Sequence, residues 1–167
     1  MPVTDIVART RLPRLLPLAV AGVLLAACGG APALSHAQYQ QKLDSMGTKF
    51  SGTLSSVFNS KELQSPNSLK QAADKIREGA NVIRQAAREL RDVTPPADAK
   101  DANHELVKGL NDFADELDQF ADDAEAGNLA KVKEFDRQAT NSSLPAEKEI
   151  EAAIKKLDAA GYNTKGG

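Results

Sequence analysis

The feature that most constrains this chain is an unbroken apolar repeat in its middle. Apolar residues recur at alternating intervals of four and three, and they are Leu69, Ala73, Ile76, Ala80, Ile83, Ala87 and Leu90. This spacing places all seven side chains on one face of an α-helix, as in the seam of an antiparallel bundle or coiled coil. Pro95 and Pro96 end the helix, because proline lacks the amide proton and restricts the residue before it.

Apolar stripes on either side of this repeat predict three more helices. The first covers about 36–58, and a capping box formed by Ser35 and Gln38 begins it. A third helix covers about 97–126 and a fourth about 128–161. Each stripe is amphipathic, so each helix needs a neighbour to cover its apolar face.

Two boundaries are left open by the pattern. The repeat-bearing helix begins either at Ser68 or at the Ser65-Pro66 pair, since both are good helix starts. The phase of the fourth stripe slips around Ser142 and Pro145, which predicts one kinked helix or, alternatively, two helices.

The predicted fold class is all-α, an up-down-up-down antiparallel four-helix bundle with short connections. This topology brings the start of the first helix, the Pro95-Pro96 turn and the end of the fourth helix to the same pole. It also predicts that Gly79 lies level with Gly109 on the neighbouring helix. A glycine inside a helix costs about 1 kcal/mol relative to alanine, so two glycines at one height indicate a close approach of the backbones.

The N-terminal segment has the layout of a secretory signal. Arg9, Arg11 and Arg14 precede a run of thirteen uncharged residues, Leu15 to Ala27, that ends in small side chains. A transmembrane helix needs about 20 apolar residues. The run is therefore too short to span a bilayer comfortably.

The end of that run, Leu25-Ala26-Ala27-Cys28, resembles the lipobox of bacterial lipoproteins. In that family the cysteine receives a diacylglycerol thioether and a peptidase cuts before it. The resemblance implies cleavage between Ala27 and Cys28, with the lipid on Cys28, the only cysteine of the chain. An ordinary signal peptide followed by an incidental thiol is the alternative.

These boundaries divide the chain into a signal peptide (1–27), a lipidated cysteine with a flexible tether (28–35), the four-helix bundle (36–161) and a disordered tail (162–167). The whole chain has a formal net charge of −2, and removal of three arginines and one aspartate with the signal leaves −4. An acidic domain lacks the basic footprint of nucleic-acid binding. The acyl chains, and not attraction to anionic headgroups, would then hold the protein to the membrane.

No familiar catalytic or metal motif is complete in the sequence. The run from His104 to Lys108 lacks the second histidine of the zinc-protease motif HExxH. Asp101 and His104 form one acid-x-x-His pair, where di-iron bundles use two Glu-x-x-His pairs. We therefore expect no enzyme, no metal and no cofactor apart from the covalent lipid. His104 itself is expected to be half-buried and hydrogen-bonded to a neighbouring helix or, alternatively, to serve as a ligand or pH-sensing residue.

Charge is segregated between the second and third helices. Seven acidic residues lie between Asp112 and Glu125 with no basic residue among them. Asp112, Asp115, Asp118 and Asp122 are the candidate partner surface, and a solvated outer face is the alternative. Lys70, Arg77, Arg84 and Arg91 recur every seven residues on the second helix. They are expected to form salt bridges, and an anion-binding groove is the alternative.

The mature domain also resembles the small helical-bundle lipoproteins of high-GC Gram-positive bacteria, through Pro95 and Pro96 followed by the helix that bears His104. That group carries no established activity to transfer. The expected function is therefore a non-enzymatic lipoprotein on the outer face of the cell membrane, an adaptor, sensor or binding module with an envelope protein as partner. The alternative is a small-ligand or metal carrier whose site lies between helices near His104.

Overall fold

The structure is a computed structural model, and it describes residues 32–59 and 68–164. These residues form five helices and no β-strand, which confirms the all-α prediction for the described ranges. The helices are α1 (His36–Phe58), α2 (Leu69–Arg91), α3 (Lys100–Glu125), α4 (Leu129–Thr140) and α5 (Pro145–Ala159). None of the described helices is long and apolar enough to cross a bilayer. The described residues belong to one compact unit.

The predicted helix starts are confirmed by their capping hydrogen bonds. The backbone N–H of Gln38 donates to Ser35 Oγ (3.3 Å), and the N–H of Ser35 donates back to Gln38 Oε1 (2.9 Å). At the start of α2 the N–H of Gln71 donates to Ser68 Oγ (3.1 Å), so Ser68 is the N-cap. These bonds satisfy amide groups that have no partner within the helix.

The pair α2 and α3 is the centre of the domain, with the most extensive contact between any two helices. Small side chains dominate this seam; Ala73, Ala80 and Ala87 of α2 and Ala114 and Ala121 of α3 are all buried. Alanine side chains let two helices approach closely. From Ala73 to Leu90 the apolar repeat therefore faces the core as predicted, whereas Leu69 at its first position is 51% exposed.

Ion pairs set the register of the two helices, which run antiparallel. Arg77 Nη2 lies 2.6 Å from Asp122 Oδ1, and Arg84 Nη2 lies 2.5 Å from Asp115 Oδ1. The buried contact of Asn103 Nδ2 with the carbonyl oxygen of Leu90 (3.3 Å) and the longer Arg77–Asp122 pair place Gly109 about five to eleven residues, or about 8–16 Å, from the level of Gly79. The prediction that the two glycines lie level is therefore wrong.

The error has a physical source in the connection between α2 and α3. The prediction centred the hairpin on the two prolines, but α3 begins only at Lys100, after a turn in which the N–H of Ala99 donates to the carbonyl oxygen of Pro96 (3.0 Å). Gly109 instead faces α5, where a Cβ atom at its position would lie 2.9 Å from Ile150 Cγ1 and 3.1 Å from Ile150 N. The close approach involves a different neighbouring helix.

The fourth apolar stripe forms two helices, α4 and α5, which was the alternative to a kinked helix. Ser142 has a positive φ of 47°, and Pro145 occupies the first turn of α5. Proline favours that position because its amide needs no partner there. Both helices contact α3; the rings of Phe120 and Phe135 stack at 4.3 Å between α3 and α4.

The start of α1, the proline turn and the end of the described chain lie at one pole, as the topology predicted. The N–H of Leu34 donates to the carbonyl oxygen of Thr94 (2.9 Å), and the rings of His36 and Tyr162 stack at 4.1 Å. Tyr162 is only 2% exposed. The prediction of a disordered tail is therefore wrong for residues 162–164, because an aromatic ring beyond Gly161 completes the core.

The glycines of the helices give a direct test of this packing. Gly109→Ala is expected to destabilise the protein, because its Cβ would collide with the backbone and side chain of Ile150. Gly47→Ala and Gly52→Ala on α1 meet nothing within 4 Å. Each should stabilise the protein by about 0.5–1 kcal/mol, the ordinary gain of alanine over glycine inside a helix.

Urea denaturation of the three variants measures the effect. A Gly109→Ala variant as stable as Gly47→Ala would contradict the close contact between α3 and α5.

Candidate functional site

Cys28, Ala27 and the signal segment 1–27 lie outside the described residues, as do positions 28–31 of the tether and the tail residues 165–167. The proposed lipidation site is therefore considered from sequence alone. The candidate sites on the helices can be compared directly with the structure.

His104 is solvent-exposed on α3, so the expectation of a half-buried histidine is wrong. The neighbouring Ala102, Asn103 and Leu106 of α3 face the core instead. No group of three or more metal-ligating side chains is found within 32–59 and 68–164. The described residues therefore place no metal-ligating group around His104.

The acidic residues of α3 are joined to basic residues. Arg84 Nη2 lies 2.5 Å from Asp115 Oδ1 and 2.7 Å from Asp118 Oδ2, Arg77 reaches Asp122, and Lys108 lies 2.6 Å from Asp112. The expected salt bridges of the basic row are thus confirmed. Lys70 pairs with Asp74 (3.2 Å) and Arg91 with Asp92 (3.3 Å). Exposed pairs of this kind contribute only about 0–1 kcal/mol each.

This pairing changes the meaning of the acidic face. Asp115, Asp118 and Asp122 form a ladder of ion pairs with α2, and Asp112 pairs with Lys108 of α3 itself, so the four candidate aspartates do not present an isolated negative surface to a partner. The ladder aligns α2 with α3, which is a structural role.

The pole near the tether contains a buried hydrogen-bonded cluster. Tyr39 is fully buried and its hydroxyl donates to Asn103 Oδ1 (2.8 Å), while Asn103 Nδ2 donates to the carbonyl oxygen of Leu90 (3.3 Å). The ring of Tyr162 meets Tyr39 edge-on at 5.2 Å, and its hydroxyl donates to Asp98 (3.1 Å). Burial raises the pKa of Tyr39 above its ordinary value and that of Tyr162 to about 12. Both hydroxyls therefore remain protonated at neutral pH.

A second polar contact joins α3 to the start of α5. Glu116 Oε1 accepts a hydrogen bond from the N–H of Ala146 (3.2 Å), so a side chain of α3 caps α5. The other oxygen, Oε2, is buried and has no partner among the described residues, and the same holds for Glu147 Oε2. Burial raises the pKa of Glu116; the bond from Ala146 opposes this shift, and the charge of Glu147 adds to it.

An apolar groove of about 260 Å³ lies between α1 and α5, and we call it the α1–α5 groove. One wall consists of Leu43, Met46, Gly47 and Phe50 of α1, and the other of Ile150, Ile154 and Leu157 of α5. The floor is formed by α2 and α3. Helix α1 packs mainly on α2 and α5 mainly on α3, which leaves the space between α1 and α5 open.

A polar bridge closes the end of the groove nearest the tether. The side-chain amide of Gln40 donates to the carbonyl oxygen of Asn163 (2.8 Å), and its Oε1 accepts from the N–H of Asn163 (2.7 Å). Gln40 Nε2 also donates to Asp44 Oδ1 (2.7 Å). The groove is thus apolar along its length and polar at this one end.

The apolar stripe of α1 contains Leu43, Met46 and Phe50, and its helical spacing did not predict the groove. Met46 is buried, but Leu43 and Phe50 are only partly buried. One signal was available: Gly47 lies inside α1 on the same stretch although no backbone crosses it. Comparisons of the chain with protein-family models, curated proteins and solved structures found no match.

The tyrosine cluster predicts unequal effects of two similar substitutions. Tyr39→Phe leaves Asn103 Oδ1 buried without its donor and should lower the free energy of unfolding by about 1–3 kcal/mol. Tyr162→Phe should cost no more than about 1 kcal/mol, because water can replace the hydroxyl at the exposed Asp98. Urea denaturation measures both, and equal losses would contradict the buried hydrogen bond.

Glu116 predicts a pH-dependent stability difference. Because its folded-state pKa is raised, its contribution to stability is fully present below the ordinary value of 4.5 and is lost as the pH rises through the folded pKa. Gln at this position does not ionise and still accepts from Ala146. The melting temperature of Glu116→Gln minus that of the wild type should therefore increase as the pH rises above 4.5.

Glu134 is the matched control. Its hydrogen bonds from Arg137 and Gln138 lower its pKa, so its contribution is present above 4.5 and is lost as the pH falls. The same difference for Glu134→Gln should decrease as the pH rises. Parallel slopes for the two variants would refute the assigned environment of Glu116.

Proposed function

We propose that the protein is a lipoprotein of the bacterial cell envelope, cleaved between Ala27 and Cys28 and anchored by acyl chains on Cys28. Its helical domain is held at the outer face of the cell membrane and acts as a non-enzymatic binding module. The lipobox-like run that ends at the only cysteine carries the anchoring part of this proposal.

The anchored end of the domain is well suited to a short tether. The N–H of Leu34 is bonded to Thr94, and the capping box at Ser35 begins α1 immediately afterwards. Leu34 lies six positions after Cys28, so the chain between them spans at most about 20 Å. A lipid on Cys28 would therefore keep the tyrosine pole close to the bilayer.

The finer fold proposal is an up-down-up-down four-helix bundle whose fourth member is divided into α4 and α5. The antiparallel ion pairs of α2 with α3 support it. Two further pairs join α3 to α5 in antiparallel order, Lys108 with Glu149 (2.6 Å) and Glu105 with Lys156 (2.6 Å). Lys49 of α1 pairs with Glu89 of α2 (2.9 Å).

The binding role is supported by the α1–α5 groove. Apolar pockets with a few polar groups at one end are the usual form of small-ligand sites. This observation favours the carrier alternative over a protein adaptor that uses the acidic face, whose carboxylates are paired with α2. It also moves the carrier's site away from His104, which is exposed.

The anchor is tested by intact-mass measurement of protein purified from membranes of its native host. We expect a chain that begins at Cys28 and carries a diacylglycerol on its sulfur, with the protein in the membrane fraction. Cys28→Ser should abolish incorporation of an alkynyl fatty acid, whereas the control Gly30→Ala should retain it. A bare sulfur, or residues 1–27 still attached in the mature protein, would disprove the anchor.

A further inference from the structure

We propose that the α1–α5 groove binds one hydrocarbon chain, supplied by a separate lipid or amphiphile whose head group is uncharged. The inference rests on the binding role proposed above, and it does not depend on the lipidation of Cys28. Four observations carry it: the volume of the groove, its lining, a glycine in its wall and the charge at its polar end.

The volume and the lining fit a hydrocarbon. An apolar cavity of about 150 Å³ stays dry and binds benzene, and this groove measures about 260 Å³. The stretch from Leu43 to Phe50 provides aliphatic, thioether and aromatic surface on one wall, and α5 provides isoleucine and leucine on the other. Apart from Asp44 at the polar end, no charged side chain lines the groove within the described residues, so the part of the ligand that lies along it must be apolar.

Gly47 adds no side chain to the groove wall, so the protein itself leaves this part of the groove open. A glycine inside a helix costs about 1 kcal/mol relative to alanine, and this cost is normally offset by a close backbone contact, as at Gly109. At Gly47 a Cβ atom would meet nothing within 4 Å. The missing side chain widens the groove, and no contact among the described residues requires it.

The charge at the polar end disfavours an anionic head group. Asp44 is the one charged side chain that lines the groove within the described part of the chain. Asp158, which accepts a hydrogen bond from Thr164 (2.6 Å), lies behind the same end. A carboxylate or phosphate head would be repelled there, whereas a hydroxyl can bond to the amide and carboxylate oxygens.

A helix from a partner protein fits less well. A helix is about 10–12 Å across with its side chains, so it could lay only one face against the mouth of the groove and not enter it. A slender chain can enter along the groove without separating α1 from α5.

The test uses the full chain with Cys28→Ser in every variant, so that no acyl group of its own competes. The probe is diphenylhexatriene, a narrow uncharged molecule that fluoresces in apolar surroundings. Gly47→Trp should fill the groove and weaken probe binding at least tenfold. Gly52→Trp is the matched control, because it also lies on α1 in open space but does not line the groove, and its affinity should stay within twofold of the reference chain.

Thermal melts establish that both variants fold. If Gly47→Trp does not fold, Gly47→Leu provides the same obstruction with a smaller side chain. Equal probe binding in the reference chain and in a folded Gly47 variant, or no saturable binding at all, would overturn the proposal. The mass of Cys28 is measured separately, so failure of the groove and failure of the anchor are distinguishable.

Competition with the probe identifies the ligand class. From 1-octanol to 1-decanol each added CH₂ should tighten binding about fourfold, and 1-decanol should displace the probe at lower concentration than decanoate. Equal or tighter binding of decanoate would overturn the assignment of an uncharged head. Two further results would contradict the binding of a separate ligand. One is probe binding that is blocked in the lipidated chain, and the other is a dimer of the reference chain that Gly47→Trp dissociates.

Discussion

Close packing of small side chains between α2 and α3 is the constraint on which the rest of the domain depends. Alanines along both helices, such as Ala80 and Ala121, are fully buried in this seam. The ion pairs of Arg77 and Arg84 with the acidic face align the same two helices. Because individual exposed ion pairs are weak, the buried seam holds the hairpin together and the charges select its register. The other helices then pack onto this hairpin.

The two ends of α5 are finished differently. At the tether pole, Tyr39, Asn103 and Tyr162 bring residues more than sixty positions apart into one buried cluster. At the start of α5, Glu116 caps the helix from outside and keeps one buried oxygen without a partner among the described residues. The first cluster favours a rigid attachment point, and the second introduces a dependence of stability on pH. A rigid pole beside a short tether agrees with the proposed position at a membrane.

The α1–α5 groove follows from how the outer helices divide between the two central ones. Helix α1 packs mainly on α2 and α5 packs mainly on α3, so the apolar faces of α1 and α5 line the space between them, and the polar Gln40–Asn163 bridge closes one end of it. Leu43 and Phe50 remain partly exposed in the groove wall. A core that is incompletely closed on one side is an ordinary way to build a site for an apolar ligand. The same arrangement explains why Gly47 can lie within a helix without a close neighbour.

The sequence by itself determined the helical stripes, the cap at Ser35 and the division of charge between α2 and α3, and it offered Ser68 and Ser65 as alternative starts of α2. These features depend on residues a few positions apart, and local spacing specifies them. Only the tertiary structure decided the register that separates Gly79 from Gly109, the burial of Tyr162 and the opening between α1 and α5. Each of these depends on the offset introduced by a connection or on contacts between distant residues, neither of which a helical pattern contains.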